Sequence, residues 1–191
     1  MRTPKIIAFA GSNRSHSINV NALKYAVSGA RAAGAEVSLL NLADYPLPIY
    51  DGDWHASHGI PPSLLALHPQ LAMADALLVA SPEYNASITP LLKNTIDWLS
   101  QSVNGAAGNA AFVDKPVALI GASAGAFGGV RALPHVATIF SNLGAIVLPV
   151  MAVPHADKIG VFGVEVLNQR AVNGLEALGA RLANFAAKNL N

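Results

Sequence analysis

Strand-like runs alternate with segments of helical spacing along this chain, and that alternation limits the fold more than any other feature. The most telling run is "ADALLVA", ending at Ala80, which has no polar residue at alternate positions and so needs cover on both faces. Similar runs are "KIIAFA" (Lys5 to Ala10), "EVSLLNL" (Glu36 to Leu42), "KPVALIG" (Lys115 to Gly121) and "GAIVLP" (Gly144 to Pro149). Between the first two, Val20, Leu23, Val27 and Ala30 recur at helical spacing, with Ser17 as N-cap and Gly34 as the stop. A helix is expected from about Ser63 to Ala74, kinked or divided by Pro69. Another starts where Thr89 caps and Pro90 occupies the first turn, with Leu92, Ile96 and Leu99 on its apolar edge. Gly128-Gly129 is expected to open a helix carrying Val130, Leu133, Ala137 and Phe140, and Gly163 to begin a long final one. Asp44 to Pro62 reads as irregular.

Five strand and helix units with short connections predict an α/β three-layer sandwich on a five-stranded parallel sheet. If the strand order is 2-1-3-4-5, a ligand belongs outside the carboxyl ends of strands 1 and 3, where the winding reverses. The whole chain, 1–191, is expected to be one domain, since no linker or change of composition divides it.

The net charge of +1, with both signs scattered, offers no basic stripe for a phosphate backbone, so no nucleic-acid partner is expected. Charged residues make up 12% of the chain, against roughly 25% in an ordinary domain. That deficit fits either a doubly covered sheet with Ala-rich helices or a subunit interface, and a homodimer or homotetramer is expected from the second. The chain has no cysteine, which rules out disulfides and thiolate chemistry and suits a reducing compartment. Its first apolar run is short for a signal peptide and no run approaches the ~18 residues of a membrane span, so a cytoplasmic location without membrane contact is expected.

Three strand ends carry ligand-suited loops. The first, "GSNRSHSIN", sets Ser12, Arg14, Ser17 and Asn19 around a helix N-terminus, a donor set suited to a terminal phosphate. It has neither the G-x-G-x-x-G of dinucleotide folds nor the Gly-Lys-Ser/Thr of a P-loop. The third, "SPEYN", offers Tyr84 as an aromatic wall and Pro82 as a fixed backbone, with Glu83 free to act as acid or base and Asn85 to start a turn. In the fourth, "SAGAFGG", small residues let main chain approach a ligand closely.

The patterns G-S-x-R-x-x-S-x-N, then P-E-Y-N with P-L-L-K-N-x-I-D-W, then S-x-G-x-x-G-G resemble the NADPH-dependent FMN reductase family, over roughly Ile6 to Leu148. The resemblance implies a flavodoxin-like fold, FMN as cofactor, NADPH or NADH as co-substrate, and a small acceptor such as a quinone, azo compound, free flavin or metal oxyanion. It implies that Ser12, Arg14, Ser17 and Asn19 hold the FMN phosphate and its approach. Pro82, Glu83, Tyr84 and Asn85 would line the isoalloxazine and ribityl region, with Ser123, Gly125, Gly128 and Gly129 along the ring's other edge. Lys93, Asn94, Asp97 and Trp98 are read as structural. Turnover would be ping-pong, and because the flavin carries the chemistry no catalytic side chain is assigned.

Two other readings compete. A non-enzymatic FMN electron carrier shares the fold, although such carriers are typically acidic. "GASAG" (Gly121 to Gly125) has the letters of a nucleophile elbow and would make Ser123 the nucleophile of a hydrolase, but no Asp-then-His pair follows it. His55, His58 and Asp53 lack the spacing of a zinc site, so no metal is expected.

Overall fold

The computed structural model describes residues 2–148 and 150–190. In chain order the elements are β1 (Lys5–Ala10), α1 (Ile18–Ala32), β2 (Glu36–Leu40), α2 (Gly52–His58), α3 (Pro62–Ala72), β3 (Ala76–Ala80) and α4 (Pro90–Leu99). They are followed by β4 (Pro116–Ala122), α5 (Ala132–Asn142), β5 (Ile146–Val147), β6 (Met151–Val153) and α6 (Gln169–Lys188). β3 is buried at every position, so its backbone groups can be satisfied only by neighbours on both sides. β1 supplies one ladder, from Ile6 opposite Ala76 to Ala10 opposite Ala80, and β4 the other, from Leu77 opposite Val117 to Ala80 opposite Ile120.

The parallel order β2-β1-β3-β4-β5 is the expected flavodoxin-like one. The fifth edge strand departs from expectation. Its ladder with β4 covers only Ile146 and Val147, and a sixth strand, β6, takes over beside Ile120 to Ala122. Pro149, the last residue expected in that strand, lies outside the described residues. α1 and α6 cover one face of the sheet, and α3, α4 and α5 the other.

Several boundaries differ for physical reasons. The Asp44 to Pro62 stretch is not wholly irregular. It contains α2, which Asp51 caps by accepting from the Trp54 amide at 2.7 Å, yet none of its residues is buried, so it has no apolar stripe to reveal it. Asn94 and Trp98 of α4 hold the lead-in to α2: Asn94 Oδ1 accepts from the Tyr50 amide at 2.8 Å and Trp98 Nε1 donates to Pro48 O at 2.7 Å. α3 runs unbroken through Pro69. Lys115 lies outside its strand, and its buried ammonium donates to the carbonyls of Leu71 and Ala72 at the end of α3. Burial pulls its pKa down to about 8, against the opposing pull of Asp75. α5 begins at Ala132, because Gly128 and Gly129 hold φ of 59° and 82°, outside the helical region. α6 begins at Gln169, after Asn168 caps it by accepting from the Ala171 amide at 3.1 Å, and Leu167 before it is 64% exposed. Among the described residues, no helix is long and apolar enough to cross a membrane.

The helix that follows the first loop is fixed by an unusually close crossing. A Cβ on Gly29 of α1 would lie 2.0 Å from the Glu176 carbonyl oxygen, and one on Gly179 of α6 would lie 1.8 Å from that of Ala26. The two backbones therefore touch, and neither site has room for a methyl group. In an open helix Gly179→Ala would gain about 1 kcal/mol from propensity. Here overpacking reverses the sign, and urea unfolding is expected to show a loss of about 2 kcal/mol.

Candidate functional site

Three strand ends meet at one edge of the sheet, and short hydrogen bonds hold them there. The Gly11 amide donates to Ala80 O at 2.8 Å, and Thr89 Oγ1 donates to Gly11 O at 2.7 Å. The same Thr89 oxygen accepts from the Leu92 amide at 3.2 Å, so one hydroxyl caps α4 and ties it to the end of β1. Asn19 is buried and pairs with Ala122 in both directions, Nδ2 to the carbonyl at 2.9 Å and the Ala122 amide to Oδ1 at 3.1 Å. It clips the start of α1 to the end of β4.

The first loop leaves an anion site open. Ser17 caps α1, accepting weakly from the Val20 amide at 3.4 Å, and Ser12 Oγ accepts from the Arg14 amide at 3.4 Å. The first turn of α1 carries no acidic residue, and among the described residues the Arg14 guanidinium has no acidic partner. The positive end of the helix dipole is therefore uncompensated by the chain itself.

In the third loop, Tyr84, Asn85, Ala86 and Ser87 close a tight two-residue turn. The Tyr84 amide donates to Ser87 O at 2.9 Å and the Ser87 amide returns to Tyr84 O at 3.0 Å. Asn85 and Ala86 have φ of 49° and 63°, the mirror-image turn type that usually takes Asn-Gly. Asn85 suits its place; Ala86 is strained there. Tyr84 is left 48% exposed at the rim.

Glu83 is not presented as an acid or base. Its side chain is 8% exposed and turns toward α5. One carboxylate oxygen accepts from Arg131 Nε at 2.7 Å, and the other from the amides of Arg131 at 3.0 Å and Ala132 at 3.3 Å. Burial pushes its pKa up, but the Arg131 and Ala132 hydrogen bonds and the Arg131 charge outweigh burial and hold it below the usual carboxylate range. Ser87 Oγ and His135 Nδ1, 3.0 Å apart, make a second link between this loop and α5.

The expected residues of the first loop, Ser12, Arg14, Ser17 and Asn19, line a cleft of about 220 Å³. Pro82, Glu83, Tyr84 and Ser123 form its other walls. Four expected residues do not line it. Asn85 stands at the tip of its turn, and Gly125 is exposed, where a Cβ would meet Ser123 Oγ at an unstrained 3.9 Å. Gly128 and Gly129 are buried: a Cβ on Gly128 would meet Val153 C at 2.5 Å, and one on Gly129 would meet Gly121 Cα at 3.1 Å. Their small size serves the packing of backbone on β4 and β6. Ser123 Oγ donates to Gly125 O at 3.3 Å and has no histidine partner among the described residues, so the hydrolase arrangement is not assembled. Thr89 was read only as a cap, and Arg131 was not singled out at all; nothing local in the sequence marks its pairing with Glu83, 48 residues away.

The family model described as NADPH-dependent FMN reductase matches residues 4–158, which include all three loops. The chain belongs to this family. Over 131 residues it is 40% identical to the NAD(P)H-dependent FMN reductase PA1204 of Pseudomonas aeruginosa, covering 69% of this chain and 66% of that protein's length. It is 33% identical to a quinone reductase of Escherichia coli K12 over 144 residues, or 75% of this chain and 73% of that protein. Among solved structures it resembles FerB, a flavoenzyme NAD(P)H:(acceptor) oxidoreductase from Paracoccus denitrificans, with a TM-score of 0.79 and 26% identity. That likeness covers 97% of this chain and 98% of the other. FMN with a reduced nicotinamide, which the resemblance of the three loop patterns implied, agrees with the family.

As a member of this family the chain has its third loop braced on α5 by one buried carboxylate. Glu83→Gln keeps the shape and removes the charge, and is expected to cost about 1–2 kcal/mol in urea unfolding, between the exposed and buried limits for an ion pair. Because the folded pKa is depressed, this stabilisation is complete above about pH 4.5, where the carboxyl titrates in the unfolded chain. It is lost as pH falls through the folded pKa. The gap in stability between wild type and Glu83→Gln should therefore close on acidification below that pH.

Proposed function

We propose that this protein is an FMN-dependent NAD(P)H oxidoreductase that passes electrons to a small acceptor such as a quinone, azo compound, free flavin or metal oxyanion. The observation that carries the reading is the uncompensated anion site at Arg14 and the α1 N-terminus, opening into the same cleft as the exposed ring of Tyr84. The donor set fits a phosphate monoester: one guanidinium, two hydroxyls and helix amides, and among the described residues no carboxylate pairs with Arg14. Ser12, Arg14 and Ser17 would hold the phosphate, while Pro82 and Tyr84 would flank the ring. Asn19 and Glu83 serve as positioning residues, through Ala122 and Arg131.

Bound FMN supplies two-electron chemistry between a reduced nicotinamide and the acceptor. The chain's own part is to orient and to expose. Tyr84 leaves the cleft open at one rim, where donor and acceptor would bind in turn in a ping-pong order. Gly128-Gly129 seat the fourth loop on β6 and keep the opposite wall at its level. Exposed apolar residues outside the cleft, among them Phe127 and Val130, favour self-association, which sedimentation would report as a dimer or tetramer.

The test is anaerobic titration of the FMN-loaded protein with NADPH and with NADH. Bleaching of the flavin by either, followed by reoxidation with a quinone, is expected. A protein that takes up FMN but is reduced by neither would be an electron carrier instead. Arg14→Ala is expected to weaken FMN binding about 10- to 100-fold, the worth of a hydrogen-bonded charge on a phosphate; fluorescence quenching on FMN titration measures it. An unchanged FMN affinity would contradict the phosphate assignment.

A further inference from the structure

Arg14, Ser17 and Ile18 line more than the cleft. They also form one end of a second groove, of about 320 Å³, that runs along α1 toward the segment after β6. His16 stands at its upper rim, Lys24 further along α1, and Asp157 and Gly160 on the opposite bank. Lys24 and His16 are exposed, and neither has an acidic partner among the described residues. The opposite bank is held in place. Asn21 Nδ2 donates to Gly160 O at 2.8 Å, and the Phe162 amide donates to Asn21 Oδ1 at 2.9 Å. The groove thus has fixed walls, a lysine and a histidine that lack an acidic partner among the described residues, and direct continuity with the cleft. A third hollow beside Arg14, of about 440 Å³, is walled by Leu23, Leu39, Leu40 and Leu42 and brings in no further cation.

We propose that this groove is the subsite for the 2′-phosphate of NADPH, with Lys24 and His16 as the residues that set preference for NADPH over NADH. The proposal rests on the oxidoreductase reading above. A co-substrate whose nicotinamide occupies the cleft has a second, adenylate end to place, and the groove is the one continuation of the cleft that adds cations. A phosphate monoester dianion is the group such cations discriminate best, because NADH presents only a neutral hydroxyl there. His16, held at φ of 56°, lines the groove from the loop, and Lys24 lies seven residues, about 10 Å, along the helix from the Ser17 cap. Asp157 is the one acidic side chain lining the groove and opposes binding of an anion.

The test uses 2′,5′-ADP, which carries the 2′-phosphate, and 5′-ADP, which lacks it, as calorimetric ligands of the FMN-loaded protein. Wild type is expected to bind 2′,5′-ADP more tightly. Lys24→Gln should weaken 2′,5′-ADP about tenfold with little effect on 5′-ADP, and the NADPH to NADH ratio of kcat/KM should fall by a similar factor. Asp157→Asn should move both quantities the other way, a gain that no misfolded variant would produce. Equal binding of the two ligands, or variants that leave 2′,5′-ADP affinity unchanged, would overturn the proposal. Loss of bound FMN in Lys24→Gln would overturn it too, by assigning the groove to the flavin phosphate. The calorimetric result stands even if neither nicotinamide reduces the flavin, in which case the oxidoreductase reading fails and the anion subsite is judged separately.

Discussion

Everything at the site depends on β3 being buried on both faces. A strand with no solvent contact has no water to satisfy its amides and carbonyls, so both neighbours must pair with it along its length. β1 and β4 are thereby brought level at their carboxyl ends, Ala10 and Ile120 both opposite Ala80. The loops that leave those ends come from three distant parts of the sequence, yet the ladder sets them side by side. Side-chain bonds then refine what the ladder positions: Thr89 to Gly11, Asn19 to Ala122, Glu83 to Arg131.

This division of labour explains which polar residues of the cleft are free to bind and which are not. Asn19 and Glu83 both carry groups able to bind a ligand, but buried polar groups are costly unless paired, and each has found partners inside the protein. Among the described residues the side chains of Arg14 and Tyr84 have no such partner and remain available. A residue type that suits a ligand is thus not enough; its internal hydrogen bonds decide whether it is free to act.

Much of the fold was legible because it rests on local signals. The fully apolar run at Ala76 to Ala80, the Ser17 and Thr89 caps and Pro90 in a first turn are written in adjacent residues and placed β3 and the starts of α1 and α4, while the sheet order came with the flavodoxin-like resemblance. What escaped has non-local causes. α2 has no fully buried residue, and its lead-in is held from outside by Asn94 and Trp98. α5 starts late because Gly128 and Gly129 are needed in a backbone contact with β6 and β4. β6 is a three-residue strand whose existence depends on where β4 ends. At the site, the ends of Glu83 and Asn19 could not be assigned until Arg131 and Ala122 were placed beside them.

The Gly29 and Gly179 crossing also has a mechanical side. With backbone set against backbone, α1 cannot slide or tilt on α6 without a collision, so the first loop is anchored to the stiffest part of the molecule. The third loop, by contrast, ends in a strained turn linked to α5 by exposed groups on Arg131 and His135. The two walls of the cleft are therefore held in unequal ways: the first loop by backbone set against backbone, the third by side-chain bonds to α5.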